Sequence, residues 1–324
     1  VAGPRGVSEF GLRRSHGLCG IAASRAAVIG GCESTSNVHA AWLYGLRTSG
    51  TMAHSYVESH RSESEAFRSF SEAHPYGCIL LVDTYDTLRS GVPNAIEVAR
   101  EMERRGRRLF AVRLDSGDLA YLAKQTRRML DDAGLDYVKI VASNQLDEHI
   151  IKSLLDQDAP IDLFGVGTRL ATGAPDGSLD GVYKLAEVGG EPRLKVSETL
   201  AKTTLPGRKT IYRYTDGAGH FLADAIALET ETYVPRMSHP FEPSRTLELA
   251  DLRRETILVK ALENGKRLAV PDNVDEIAAF ARERLAALPA EHKRFENPHI
   301  YKVGISERLM ALRDGLVHHY RNED

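Results

Sequence analysis

Four apolar, β-rich runs recur along the first half of the chain: Ile79–Val82, Leu109–Val112, Tyr137–Val141 and Asp162–Val166. Their starts lie roughly 25 to 30 residues apart, the length of a strand plus a crossover helix. Between them, Pro93 stands where a first helical residue would, and Ala95–Arg105 carries helical periodicity closed by Gly106. Leu119–Ala133, closed by Gly134, and Leu146–Leu155 read as two further helices. The runs are apolar throughout rather than alternating, which predicts a parallel sheet covered on both faces, either a (β/α) barrel or a doubly wound sheet. No Gly-x-Gly-x-x-Gly turn follows the first strand, so a barrel is expected. After about Lys195 the pattern changes. Thr203–Gly207 reads as a turn, Thr210–Tyr214 and Ala225–Tyr233 alternate like half-exposed strands, and Val274–Leu288 reads as a helix. The expected organisation is a barrel domain over residues 1–200 and a smaller mixed α+β region over 201–324.

Charge narrows the partners. Against 45 Asp and Glu stand 42 Lys and Arg, a net charge of −3, which offers no field to hold nucleic acid or an anionic membrane surface. A small-molecule substrate is the expectation. Gly17–Cys32 is the longest apolar stretch, but Arg25 and its Gly and Ala content make it a packed helix rather than a bilayer span. The three cysteines, Cys19, Cys32 and Cys78, are odd in number and lack metal-ligand spacing, which argues against disulfides and zinc and for a reducing cytoplasm. The chain opens at Val1, and Ala2–Gly6 leads straight into the strand-like Val7–Leu12 as though inside a domain, so a preceding segment is expected.

Barrel sites are built from the loops at the strands' carboxyl ends, and here those loops are polar. The first run ends in Asp83-Thr84-Tyr85-Asp86, the second in Arg113-Leu114-Asp115-Ser116-Gly117-Asp118, the third in Ser143-Asn144 and the fourth in Gly167-Thr168-Arg169, with Gly165-Val166-Gly167-Thr168 as a glycine turn. The glycine turn can present backbone N–H groups and a hydroxyl to a phosphate, with Arg169 near for charge. Asp83 and Asp115 are suited to Mg²⁺ on a pyrophosphate and to ribose hydroxyls. Asp118 is better read as the N-cap of the helix from Leu119, a role for which Asp115 lies too early. Gly50-Thr51-Met52-Ala53-His54 follows the short stretch Leu46–Thr48 and places an imidazole at another corner. The basic run Arg104–Arg108 is a solvated helix end.

In order along the chain, Ser8-Glu9-Phe10-Gly11-Leu12-Arg13-Arg14, Ser34-Thr35-Ser36-Asn37, Gly50-Thr51-Met52-Ala53-His54-Ser55, Asp83-Thr84-Tyr85-Asp86, Arg113-Leu114-Asp115-Ser116-Gly117-Asp118, Gly165-Val166-Gly167-Thr168 and Pro206-Gly207-Arg208-Lys209 resemble the nicotinate phosphoribosyltransferase family. Asn297-Pro298-His299-Ile300-Tyr301 is similar to its C-terminal region. The resemblance implies the α/β fold of type II phosphoribosyltransferases, an irregular parallel (β/α) barrel with a second, smaller mixed region. It implies the substrates nicotinate, phosphoribosyl pyrophosphate and ATP, the cofactor Mg²⁺, and a homodimer with shared active sites. By resemblance His54 is the histidine phosphorylated by ATP, and Arg14 belongs to the nicotinate pocket. Ser36 lies where the related nicotinamide enzyme carries an aspartate. Asp83, Arg113 and Asp115 match residues around base, ribose and Mg²⁺–pyrophosphate, Thr51 matches the substrate-binding stretch before the histidine, and Ser143, Asn144, Gly165, Gly167 and Thr168 match the sugar-phosphate cradle. The alternatives are nicotinamide or quinolinate as the base, or a catalytically silent nucleotide-binding barrel.

Overall fold

The computed structural model describes residues 1–198, 203–268 and 271–322. Two compact units emerge, Val1–Leu179 with Asp272–Ala281, and Asp180–Pro271 with Arg282–Asp324. The expected boundary between residues 200 and 201 lies outside the described residues.

The first unit is built on six strands, Gly6–Glu9 (β1), Ser34–Thr35 (β2), Ile79–Leu81 (β3), Ala111–Leu114 (β4), Lys139–Ala142 (β5) and Leu163–Val166 (β6). They lie in the order β2-β1-β6-β5-β4-β3, every pair parallel. Read from β3 this is 3-4-5-6-1-2, a cyclic rotation of the chain order with no reversal, which is the order of a barrel and not of a doubly wound sheet. The gap between β2 and β3 is bridged lightly: Thr48 pairs with Thr35, and the Thr51 hydroxyl donates to the Ile79 carbonyl at 2.9 Å. The barrel is therefore irregular, as expected. Leu46–Thr48 is no strand, only that one bridge.

Eight helices accompany these strands, Leu18–Ile29 (α1), Val38–Tyr44 (α2), His54–Glu58 (α3), Glu63–Ala73 (α4), Val92–Arg104 (α5), Leu119–Asp132 (α6), Glu148–Asp156 (α7) and Thr168–Thr172 (α8). Four of them start on side-chain caps that satisfy otherwise orphaned N–H groups: Asn37, Ser62, Asp118 and Asp147. Asp118 is thus the cap expected of it. Phe67, Leu80, Leu114, Leu130, Ile140 and Phe164 are fully buried between strands and helices. β4 begins two residues later than its apolar run suggests, because the N–H groups of Phe110 and Ala111 both go to the Cys78 carbonyl before the ladder starts at Ile79 and Ala111. Arg113 is consequently a strand residue rather than a loop residue.

The second unit holds a six-stranded mixed sheet, in the order β12-β11-β16-β10-β9-β13, where β9 is Lys209–Thr215, β10 Phe221–Leu228, β11 Arg236–Ser238, β12 Thr246–Glu248, β13 Arg253–Thr256 and β16 Lys302–Ser306. Two short hairpins, Glu187–Val188 (β7) with Glu191–Pro192 (β8) and Leu262–Glu263 (β14) with Lys266–Arg267 (β15), form separate two-stranded sheets. The run expected over Ala225–Tyr233 ends at Leu228, since the Glu231 carboxylate accepts the Leu228 N–H and turns the chain. Helices Val274–Ala287 (α9) and Glu307–Asn322 (α10) complete the chain. No described helix is long and apolar enough to cross a membrane.

Candidate active site

All six strands of the parallel sheet deliver polar residues at their carboxyl ends, the position barrel enzymes use. A cleft of about 470 Å³ is lined there by Phe10, Arg13 and Arg14 after β1, Ser36 after β2, Arg113 and Asp115 at the end of β4, Ser143, Asn144 and Gln145 after β5, and Gly165, Gly167 and Thr168 at β6. Thr51, Met52 and His54 close one side.

Asp115 organises the polar floor. Its Oδ1 accepts Arg113 Nη2 at 2.7 Å and the Ser143 hydroxyl at 2.5 Å, and Arg113 Nε donates to Ser143 Oγ at 2.7 Å. Asp115 Oδ2 lies 3.6 Å from His54 Nε2, while His54 Nδ1 meets the Thr84 hydroxyl at 3.1 Å. The imidazole is thus held at one nitrogen and directs the other toward a carboxylate, so its Nε2 is the nitrogen available for chemistry. Positive φ at Asn144 and Gln145, 87° and 48°, turns the chain after Ser143 and ends the strand at the cleft.

Two glycines are required by contact. A Cβ at Gly165 would sit 2.6 Å from the Phe10 ring, and one at Gly167 2.9 Å from the Phe10 carbonyl, so the β1 turn lies directly against β6. Phe10 in turn faces the Arg113 guanidinium, 5.7 Å from the ring centroid.

Of the expected site residues, His54, Arg113, Asp115, Arg14, Ser36, Thr51, Ser143, Asn144, Gly165, Gly167 and Thr168 share this cleft. Asp83 does not line it. Its Oδ2 accepts the Asp115 N–H at 2.8 Å and the Ser116 hydroxyl at 2.6 Å from behind, and Oδ1 is buried without a partner. Arg169 is not a lining residue either, and its guanidinium pairs with Asp147 at 3.9 Å. Phe10, Arg13, Thr84 and Gln145 belong to the site although no local pattern singles them out; Phe10 and Arg13 stand in the same motif as Arg14.

The family model of the nicotinate phosphoribosyltransferase (NAPRTase) family matches residues 6–242, and that of the nicotinate phosphoribosyltransferase C-terminal domain matches residues 208–313. The chain belongs to the nicotinate phosphoribosyltransferase family. It is 38% identical to nicotinate phosphoribosyltransferase from Bacillus subtilis, over 99% of this chain and 67% of the relative, and 33% identical to that from Dictyostelium discoideum, over 93% and 61%. The crystal structure of human nicotinic acid phosphoribosyltransferase superposes with a TM-score of 0.82 at 31% identity, covering 97% of this chain and 71% of that one. The chain therefore spans about two thirds of the length of these family members.

Proposed function

We propose that the protein joins nicotinate to the ribose of phosphoribosyl pyrophosphate in the salvage of NAD, with ATP spent on phosphorylating His54. The observation that carries this reading is one cleft holding Arg13 and Arg14 after one strand, Ser36 after its neighbour, Arg113, Asp115 and Ser143 across two others, and the Gly165–Thr168 turn at a fifth. A carboxylate needs charge-assisted donors, which the arginine turn supplies and the Ser36 hydroxyl supplements. Phe10 offers an aromatic face for a pyridine ring. The Ser143–Gln145 and Gly165–Thr168 turns offer backbone N–H groups and hydroxyls for a sugar phosphate.

The pyridine nitrogen attacks ribose C1′ as the C1′–O bond to pyrophosphate breaks, so negative charge grows on the leaving group and positive charge on the ribose. In this reading Arg113 meets the former and Asp115 the latter, supported by their contact in the cleft and by an Asp115 Oδ2 uncommitted to a close hydrogen bond. Among the described residues no three His, Cys, Asp or Glu side chains gather as a metal cage. That donor set fits Mg²⁺ arriving on a pyrophosphate, which needs only one or two carboxylates. Asp115, which lines the cleft and keeps Oδ2 free of a close hydrogen bond, is the residue that would hold it; Asp83, expected to share that role, lies outside the lining and supports Asp115 through its N–H. When bound it supplies charge neutralisation on the leaving pyrophosphate. Phosphate on His54 Nε2 would set new negative charge against Asp115, and the repulsion biases the loops that carry them.

The same reading includes a homodimer with shared sites and a cytoplasmic location. Supporting the dimer, Leu18, Val38 and Trp42 on α1 and α2 expose large apolar side chains, a surface suited to a partner. The test is nicotinate mononucleotide formation from nicotinate, phosphoribosyl pyrophosphate and ATP, run with γ-labelled ATP beside His54→Ala. Acid-labile label on the unaltered chain alone is expected. Equal label on both overturns the phosphohistidine, and absence of the mononucleotide from the unaltered chain overturns the activity.

A further inference from the structure

Glu9 is the last residue of β1 and lies outside the cleft lining, yet only 1% of it is exposed and its carboxylate gathers three separate segments. Oε1 accepts the N–H of Gly11, inside the turn that carries Phe10, Arg13 and Arg14. Oε2 accepts the hydroxyl of Ser24 on α1 at 2.8 Å and that of Thr35 on β2 at 2.5 Å. The Glu9 backbone carbonyl takes the Ser36 N–H at 2.9 Å. A second tier locks the corner: Thr35 Oγ1 accepts the Asn37 N–H at 2.9 Å, and Asn37 Nδ2 donates to Ser24 Oγ at 3.1 Å while Asn37 Oδ1 caps α2.

Among the described residues no ion pair joins Glu9; its donors are a backbone amide and two hydroxyls. Burying a carboxylate is costly unless its hydrogen bonds are all made. An apolar residue could fill the space but would strand the Gly11 N–H and release both hydroxyls. What the carboxylate provides is a fixed separation between the arginine turn and Ser36, the two groups that face the base.

We infer that Glu9 is a positioning residue for the base-binding end of the cleft, acting through Gly11 on the arginine turn and through Thr35 on Ser36. The inference rests on the nicotinate reading for its kinetic consequence but not for its structural one. In Glu9→Gln the amide oxygen still accepts the Gly11 N–H, and the amide nitrogen faces two hydroxyls that can rotate to accept. The network therefore survives with weaker, uncharged bonds, and the fold is retained.

Two readouts test this on the full chain. In steady-state kinetics, Glu9→Gln raises KM for nicotinate about tenfold, the effect of replacing charge-assisted bonds with weaker neutral ones. KM for phosphoribosyl pyrophosphate and kcat stay within about twofold, and Tm within a few degrees. In hydrogen exchange, protection falls in peptides spanning residues 10–14 and 34–37 and not elsewhere. If both KM values and Tm move together, or if nicotinate KM and local protection are unchanged in folded protein, Glu9 is a packing residue and the inference is overturned. Should Glu9→Gln not fold, Thr35→Val cuts the same link from the other side and Thr35→Ser restores it, and the same readouts apply. An unaltered chain without turnover but with the exchange pattern sinks the activity reading and leaves the positioning role standing.

Discussion

Each unit contains an arginine, an aspartate and a hydroxyl in mutual contact, and the two clusters are built to opposite ends. In the second unit, Arg213 Nε and Nη2 donate to the two oxygens of Asp224 at 2.8 and 2.7 Å, and the Tyr301 hydroxyl donates to Oδ1 at 3.1 Å. Both carboxylate oxygens are consumed. In the first unit, Arg113 and Ser143 both crowd onto Asp115 Oδ1, leaving Oδ2 with only His54 Nε2 at 3.6 Å, beyond hydrogen-bond reach. Burial does not separate the two clusters: the side chains are 15 and 22% exposed in the cleft and 22 and 11% in the other. What separates them is valence. A cluster in which both carboxylate oxygens are hydrogen-bonded holds a sheet together, and one with an oxygen to spare can act on a ligand.

The largest effect comes from cutting each cluster at its aspartate. Asp115→Asn should lower kcat/KM by on the order of a hundredfold or more, because it removes charge where the reaction develops it, with little change in Tm. Asp224→Asn should cost about 2 kcal/mol of stability by leaving a partly buried guanidinium short of its partner, with kinetics intact in the folded fraction. Measuring both quantities on both variants breaks the comparison if the assignments are exchanged.

Base selection should respond next most strongly. Ser36→Asp sets a carboxylate beside that of nicotinate, a repulsion in a partly desolvated pocket that should cost on the order of a hundredfold in kcat/KM. Nicotinamide, whose NH₂ can donate to the new acceptor, gains less than nicotinate loses. An unchanged preference would show that Ser36 does not face the substrate's carboxylate.

The sequence disclosed the cleft better than its supports. The polar and glycine-rich loops after apolar runs marked Asp115, Ser143 and Gly167, because a parallel sheet buried on both faces leaves only strand ends free for chemistry. What letters cannot carry is which side of a loop a side chain occupies. Asp83 follows its strand just as Ser143 follows β5, yet it turns behind the Asp115 loop to hold a backbone amide. Arg13 and Arg14 are adjacent and chemically identical, and only the short 3-10 turn Leu12–Arg14 brings both to the cleft. The position of Arg113 within a strand depended on where the ladder starts, a tertiary pairing with Cys78 and Ile79 that no local pattern encodes.

A smaller effect, common to both units in stability but not in function, concerns two glycines packed against side chains. A Cβ at Gly165 meets the Phe10 ring at 2.6 Å, and one at Gly304 meets Met237 Sδ at 2.7 Å and the Ser238 carbonyl at 2.9 Å. Each Gly→Ala change should cost about 1 to 3 kcal/mol by overpacking. Only Gly165→Ala should also raise KM for nicotinate, since the ring it displaces lines the cleft. Equal kinetic effects from the two would erase the functional distinction between the sheets at this position.

The closed cluster also makes the smallest prediction, one with a definite sign in pH. Burial, followed by the adjacent Asp224 charge, pushes the Tyr301 phenol well above its usual range. A free phenol in the unfolded chain titrates near 10, so between that pH and the raised native value the unfolded state loses a proton that the folded state keeps. The stabilising contribution of the neutral phenol is therefore fully present below about pH 10 and is lost as pH rises toward the native value. Tyr301→Phe removes the hydrogen bond to an aspartate that keeps both bonds from Arg213, a loss of about 0.5 to 1.5 kcal/mol at neutral pH. It also removes the titration, so the variant should lose less stability than the unaltered chain between pH 9 and 11. Denaturant unfolding at those pH values, referenced to pH 7, measures the difference in slope. Identical slopes would mean that Tyr301 is open to water, and that the Arg213–Asp224 pair is not the sealed counterpart of the cleft.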